Sequence, residues 1–113
     1  MIAQIRPSEL STWLQAARAD GTPVVLDVRE AAELRQASVK SDGFLLLTIP
    51  MSQLVARLDE IDPKQAIACL CHHGGRSMQV AAFLQSKGFS RVANIAGGIN
   101  AWSDELDPNV PRY

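Results

Sequence analysis

Ala66-Ile67-Ala68-Cys69-Leu70-Cys71-His72-His73-Gly74-Gly75-Arg76-Ser77 is the stretch on which the reading of this chain turns. An apolar run of strand length leads into Cys71. A short loop with two glycines follows, and Met78 to Lys87 continues as a helix-like run. A cysteine at the end of a strand and ahead of a helix is placed to become a thiolate. The loop can turn its backbone N–H groups inward as an anion nest, and the helix adds the positive end of its dipole. Both favour the charged, nucleophilic form of a thiol near neutral pH.

Working outward, short apolar runs alternate with amphipathic ones. Ile2 to Ile5 predicts a short first strand. Leu10, Trp13, Leu14 and Ala17 recur at helical spacing, with Pro7 before and Gly21 after as boundary signals. Pro23 to Leu26 predicts a strand ending at Asp27, and Glu30 to Gln36 a short helix. Phe44 to Ile49 reads as a nearly continuous apolar strand stopped by Pro50. Leu54, Leu58 and Ile61 mark one face of a further helix. Val80, Phe83 and Leu84 line the inner face of the helix after the cysteine loop, which ends at Gly88. Arg91 to Ile95 is a last strand, and Gly97-Gly98 opens a final helix around Ile99, Ala101 and Trp102. Strands apolar throughout, most of them separated by helices, imply an α/β fold: a mainly parallel sheet of about five strands with helices on both faces. Ligands in such folds sit beyond the carboxyl ends of the strands, where Cys71 falls.

Composition narrows the function classes. The chain has 113 residues, 47% hydrophobic and 20% charged, with net charge −1. That is one domain of ordinary globular make-up. Scattered Lys and Arg give no electrostatic case for nucleic acid or an anionic membrane. Met1 to Pro7 has no basic segment leading into a long apolar one, and no apolar run approaches membrane-spanning length. Two cysteines make no disulfide framework, so a reduced, cytoplasmic setting is expected.

The loop length discriminates among thiolate chemistries. Cys71 and Arg76 enclose four residues. Cysteine phosphatases place one residue more between the two, because their loop surrounds a phosphate. The narrower cradle suits a single further atom on the cysteine sulfur, such as the outer sulfur of a persulfide, held by backbone donors as an oxyanion hole holds an oxyanion. Cys69 reads as a core residue; a bridge to Cys71 would span about 6.6 Å at strand rise, near the upper limit for a disulfide. The Cys-His-His cluster is a poor metal site, because closed zinc sites use separated ligand pairs and adjacent His72 and His73 are expected to point different ways. Arg76 at a helix start runs against the dipole, which favours an anion-binding role. Gly74 and Gly75 are expected to adopt backbone conformations that other residues resist. Ser77 is expected to cap the helix and hydrogen-bond the loop. Asp27 and Arg29 are expected to form structural pairs, with Glu33 as a further partner. Trp13 and Trp102 are assigned to the core.

At this point the chain resembles a known family, the rhodaneses or sulfurtransferases, of the small single-domain bacterial type. Leu26-Asp27-Val28-Arg29-Glu30, with Glu33-Leu34, is similar to the family's early Asp-x-Arg segment. Leu70 to Ser77 resembles its active-site loop, and Gly97-Gly98-Ile99-Asn100-Ala101-Trp102 its closing Gly-Gly-x-x-Ala-Trp motif. The tail, Asp107 to Tyr113, is similar to the end of small members. The resemblance implies one rhodanese-like domain over residues 1–113. It implies a two-step reaction in which Cys71 takes a sulfane sulfur from a donor such as thiosulfate and passes it to cyanide, a small thiol or a protein acceptor. Arg76 would steady the anionic donor, and the backbone of His72, His73, Gly74, Gly75, Arg76 and Ser77 would steady the bound sulfur. No metal or organic cofactor is implied. Two departures stand out. His72 occupies the place where many thiosulfate-using members carry a permanent cation, and Gln36 to Gly43 replaces the family's Gly-His-Ile-Pro-Gly segment. The rival readings are a cysteine phosphatase or arsenate reductase on the same scaffold, a non-catalytic binding or regulatory module, and a sulfur carrier confined to protein donors and acceptors.

Overall fold

The computed structural model describes residues 2–113; Met1, counted above in the N-terminal segment, lies outside them. The strands are β1 (Ala3–Ile5), β2 (Val24–Asp27), β3 (Leu45–Thr48), β4 (Ile67–Leu70) and β5 (Val92–Ile95). The α-helices are α1 (Leu10–Ala17), α2 (Ala31–Gln36), α3 (Gly75–Ser86) and α4 (Gly98–Glu105). The strands form one sheet in the order β1-β5-β4-β2-β3, with each neighbouring pair parallel.

The apolar runs of β2 and β4 follow from burial on both faces. Side chains alternate along a strand. Val24, Leu26, Ile67 and Cys69 therefore pack to one side with Val80, Ala81 and Leu84 of α3. Val25, Ala68 and Leu70 pack to the other with Leu10 and Leu14 of α1 and Ile99 and Trp102 of α4. Trp13 is only half-buried against this second layer. The apolar run of β3 has a different setting. It is one of the two edge strands, paired to β2 alone, and Leu45 is exposed.

One expected helix is not there. Leu54 and Ile61 are buried and Leu58 packs against the same core, as the spacing predicts. The segment nevertheless folds as two short 3₁₀ turns, Met51–Gln53 and Leu58–Glu60, closed by tight bonds such as Leu54 N–H to Met51 O and Ile61 N–H to Leu58 O. Pro50 and Pro63 bracket the segment, and Ser52, Val55, Asp59 and Asp62 are weak helix formers. The anchoring side chains hold it on the sheet without a continuous helical ladder.

The topology positions the loop. β2 leads through α2 outward to β3, whereas β4 leads through α3 in the opposite direction to β5. The strand order reverses between adjacent β2 and β4, where parallel α/β sheets open a ligand crevice. Cys71 follows β4 there. Its loop is backed by the start of α4: Ile99 N–H donates to Cys71 O at 2.9 Å and Asn100 N–H to His72 O at 3.4 Å. Gly98 makes this approach possible. Its φ is +60°, and a Cβ there would lie 2.4 Å from His72 O and 2.5 Å from Cys71 O. Gly98→Ala is therefore expected to destabilise the fold by about 2 kcal/mol or more, through left-handed strain and overpacking against fixed backbone. Urea unfolding at neutral pH measures it.

Candidate active site

The end of β4 and the start of α3 define the environment of Cys71, whose side chain is buried. Gly74 caps α3 with φ +105°, and its N–H donates to Cys71 Sγ at 3.1 Å. The left-handed conformation at Gly74 turns that donor inward. Gly75 behaves differently from expectation: its backbone is not left-handed and a Cβ would meet open space. Ser77 also departs from its expected role as a cap, since it lies inside α3 while Gly74 occupies the cap position. From there Ser77 Oγ sits 3.3 Å from Cys71 Sγ and 2.5 Å from Asn94 Oδ1. A hydroxyl has one proton. It serves Asn94 while accepting from a thiol, or turns to a thiolate. Asn94 is held in turn by its Nδ2, which donates to Gln4 Oε1 at 2.9 Å and Gly74 O at 3.2 Å.

His72 and His73 do not point different ways. Their rings stack at 3.8 Å, and Tyr113 stacks on the other side of His72, also at 3.8 Å. The loop turn presents both imidazoles to one side, and the third aromatic ring completes the pile. His72 Nε2 lies 2.7 Å from the main-chain oxygen of Tyr113, and His73 Nδ1 lies 3.3 Å from Asn100 Nδ2.

A chain of charged groups runs along the loop rim. Asp27 and Arg29 are fully buried and joined by Nε and Nη2 bonds of 2.8–3.2 Å. Arg29 Nη1 continues to Glu33 O at 3.3 Å and to the Tyr113 hydroxyl at 3.0 Å. That hydroxyl donates to Glu33 Oε2 at 2.8 Å. Arg76 then grips Glu33 with both terminal nitrogens, at 2.6 and 2.7 Å. The Arg76 guanidinium, with help from the Tyr113 hydroxyl, lowers the Glu33 carboxyl to about 2, and Glu33 raises Arg76 in return. Cys69, directly beneath on β4, is pushed up to about 12 by burial and then by Cys71, so it stays a protonated core thiol. Both cysteines are free.

The structure thus brings Cys71, Gly74 and Ser77 together, stacks His72 and His73 beside them, and draws Arg76 to Glu33. Three contributors escape the reading of the sequence: Asn94, Gln4 and Tyr113. Asn94 had a signal, as a polar side chain in the otherwise apolar Val92-Ala93-Asn94-Ile95. Gln4 and Tyr113 are ordinary polar and aromatic residues at opposite ends of the chain, and only folding brings them in.

Two outcomes are expected. Because the Glu33 carboxyl is lowered, its pairing contributes stability above the usual carboxylate range and loses it as pH falls from about 4.5 to about 2. Glu33→Gln should flatten that part of the acid-unfolding curve. Ser77→Ala leaves Asn94 Oδ1 without its donor in a buried site and should cost about 1–3 kcal/mol in denaturant unfolding.

Comparison with known proteins agrees with this geometry. Residues 10–105 match the model of the rhodanese-like domain. The chain is 38% identical to the Arabidopsis thaliana rhodanese-like/PpiC domain-containing protein 12, chloroplastic, over 99% of its own length and 38% of that protein. It is 35% identical to an Allochromatium vinosum protein named sulfurtransferase, over 91% of this chain and 90% of that one. The crystal structure of a rhodanese-related protein from Thermoplasma volcanium superposes with a TM-score of 0.77 at 29% identity, covering 98% of this chain and 99% of that one. Several curated relatives are much longer, and the chain spans between 20% and 38% of the first three. With the parallel five-stranded sheet, the cysteine loop after β4 and the glycine pair that backs it, the chain belongs to the rhodanese-like domain family.

Proposed function

We propose that this protein is a sulfurtransferase, that residues 1–113 act as one rhodanese-like domain, and that Cys71 carries the sulfur as a persulfide. The observation that carries this reading is the Gly74 N–H held 3.1 Å from Cys71 Sγ at the N-terminus of α3. A donor hydrogen bond and a helix dipole stabilise sulfur anions, both the thiolate and the persulfide that replaces it. The sulfurtransferase name of the Allochromatium vinosum relative, matched over nearly its full length, supports the same chemistry.

In the first step the Cys71 thiolate attacks the outer sulfur of a donor. A new S–S bond forms, the donor's own S–S bond breaks, and its electron pair leaves as sulfite or as a thiolate. In the second step an acceptor, cyanide or the thiolate of a small molecule or protein, attacks the outer sulfur. The persulfide bond breaks and the Cys71 thiolate returns. This is covalent catalysis in ping-pong form. The loop groups need move no proton once the thiolate exists. His72 and His73 shape the entrance, and Cys69 stays in the core as an uncharged spectator.

Incubation with thiosulfate or with glutathione persulfide, followed by intact-mass measurement, tests the proposal. The wild type should gain one sulfur atom and release it to cyanide. Cys71→Ser should gain none, while Cys69→Ser should still load. Sulfur found on Cys69, or no loading from either donor, would overturn the assignment.

A further inference from the structure

The rim of the site holds cations that are paired within the fold. Arg29 faces the carboxylate of Asp27, Arg76 that of Glu33, Arg6 that of Glu105 and Arg112 that of Asp104. Glu33 is the decisive partner. Its Oε1 accepts from Arg76 at 2.6 Å and from the Glu30 N–H at 3.2 Å. Its Oε2 accepts from Arg76 at 2.7 Å and from the Tyr113 hydroxyl at 2.8 Å. Four donors saturate the Glu33 carboxylate, and two of them come from the bidentate guanidinium of Arg76. The residue beside the nucleophile, His72, is an imidazole and carries no permanent charge.

This balance bears on the donor. Thiosulfate brings two negative charges to a thiolate that already carries one, and its leaving group, sulfite, departs as a dianion. Backbone donors at the loop can hold one anion, but a dianion approaching a thiolate is favoured further by a positive charge left over after internal pairing. Here Asp27 and Glu33 cancel Arg29 and Arg76. An organic persulfide brings at most one negative charge at its reacting end, whatever the rest of the molecule carries. It arrives as R–S–SH or R–S–S⁻ and leaves as R–SH or R–S⁻. With the anionic form, Cys71–S⁻ and R–S–S⁻ give Cys71–S–S⁻ and R–S⁻, so the reacting groups carry two negative charges throughout, against three when thiosulfate is the donor.

We propose that Glu33 is a specificity-determining residue: by taking up the charge of Arg76 it turns the site from dianionic donors toward organic persulfides. The inference rests on the sulfur-transfer reading above and names the donor class for that same cysteine. Glu33 acts through Arg76 and does not touch the reacting sulfur. Its effect therefore falls on donor choice, read in KM for an anionic donor more than in kcat.

The test measures kcat and KM for loading of Cys71 with three probes: thiosulfate, glutathione persulfide and a cysteine desulfurase charged with persulfide. The wild type should have the lowest kcat/KM with thiosulfate. Faster loading by glutathione persulfide than by the charged enzyme identifies a small-thiol donor, and the reverse a protein donor. Glu33→Gln keeps the shape and a hydrogen-bond acceptor but removes the negative charge. It should raise the ratio of thiosulfate to persulfide use by roughly tenfold, mainly through a lower thiosulfate KM. His72→Arg adds a fixed cation while leaving the bidentate Arg76–Glu33 pair in place, although it gives up the ring stacked on Tyr113; it should act in the same direction, and it guards against a folding defect in Glu33→Gln. A wild type that prefers thiosulfate, or variants that both leave its KM unchanged, would overturn the inference. Failure of every probe to load Cys71 in any variant would instead overturn the sulfur-transfer reading beneath it.

Discussion

A buried ion pair between Asp27 and Arg29 ties the sheet to the loop. Both side chains are essentially inaccessible to water, at 1% and 0% exposure. Two charges in that position cost more than their attraction returns unless the remaining donors are also satisfied. Asp27 takes bonds from the Arg29 backbone N–H, Nε and Nη2. Arg29 Nη1 has a donor still to place, and it goes outward to Glu33 O and the Tyr113 hydroxyl. The rim network of Glu33, Tyr113 and Arg76 is thus an extension of a charge pair that β2 buries beside β4. Satisfying the interior dictates where the rim begins.

The loop itself is shaped by two helix N-termini that use their N–H groups differently. At α4, the N–H groups of Ile99 and Asn100 take the carbonyls of Cys71 and His72. With those carbonyls turned toward α4, the chain can double back and present the Gly74 N–H to Cys71 Sγ at the start of α3. One helix end anchors the loop and the other faces the sulfur. Gly98 lets the first come close enough, and Gly74 supplies the left-handed turn for the second. The glycine pair before Trp102, remote in sequence from the cysteine, is part of the same construction.

What could be read from the sequence divides along the range of the interactions involved. The strands, α1, α3, α4 and the loop between Leu70 and Ser77 rest on periodicity and turn chemistry, which are local. The segment around Leu54 and Ile61 shows the limit of periodicity: the right residues are buried, but weak helix formers between two prolines leave only short turns. Side-chain partners were less accessible. Arg76 and Glu33 stand 43 positions apart, and Tyr113 stands 80 from Glu33. Nothing in the sequence between them records that the fold closes those gaps. The stacking of His72 on His73 likewise depends on a third ring brought from the tail. Asn94 was the recoverable case, because a polar side chain on a fully covered strand must have a buried partner.

Two kinds of electrostatics therefore meet at Cys71, and they act over different ranges. The Gly74 N–H, the Ser77 hydroxyl and the α3 terminus are dipoles. Their field falls away within about a helical turn, so they act on the Cys71 sulfur and scarcely on anything beyond it. The Asp27, Arg29, Glu33 and Arg76 charges reach further, out to about a Debye length, but as a set they sum to zero. A loop built this way can hold a sulfur anion by short-range dipoles without presenting a net positive field to the approaching donor. In the proposed sulfur transfer, stabilising the intermediate and choosing the donor would fall to different atoms: the first to the backbone turn at Gly74, the second to the carboxylate of Glu33.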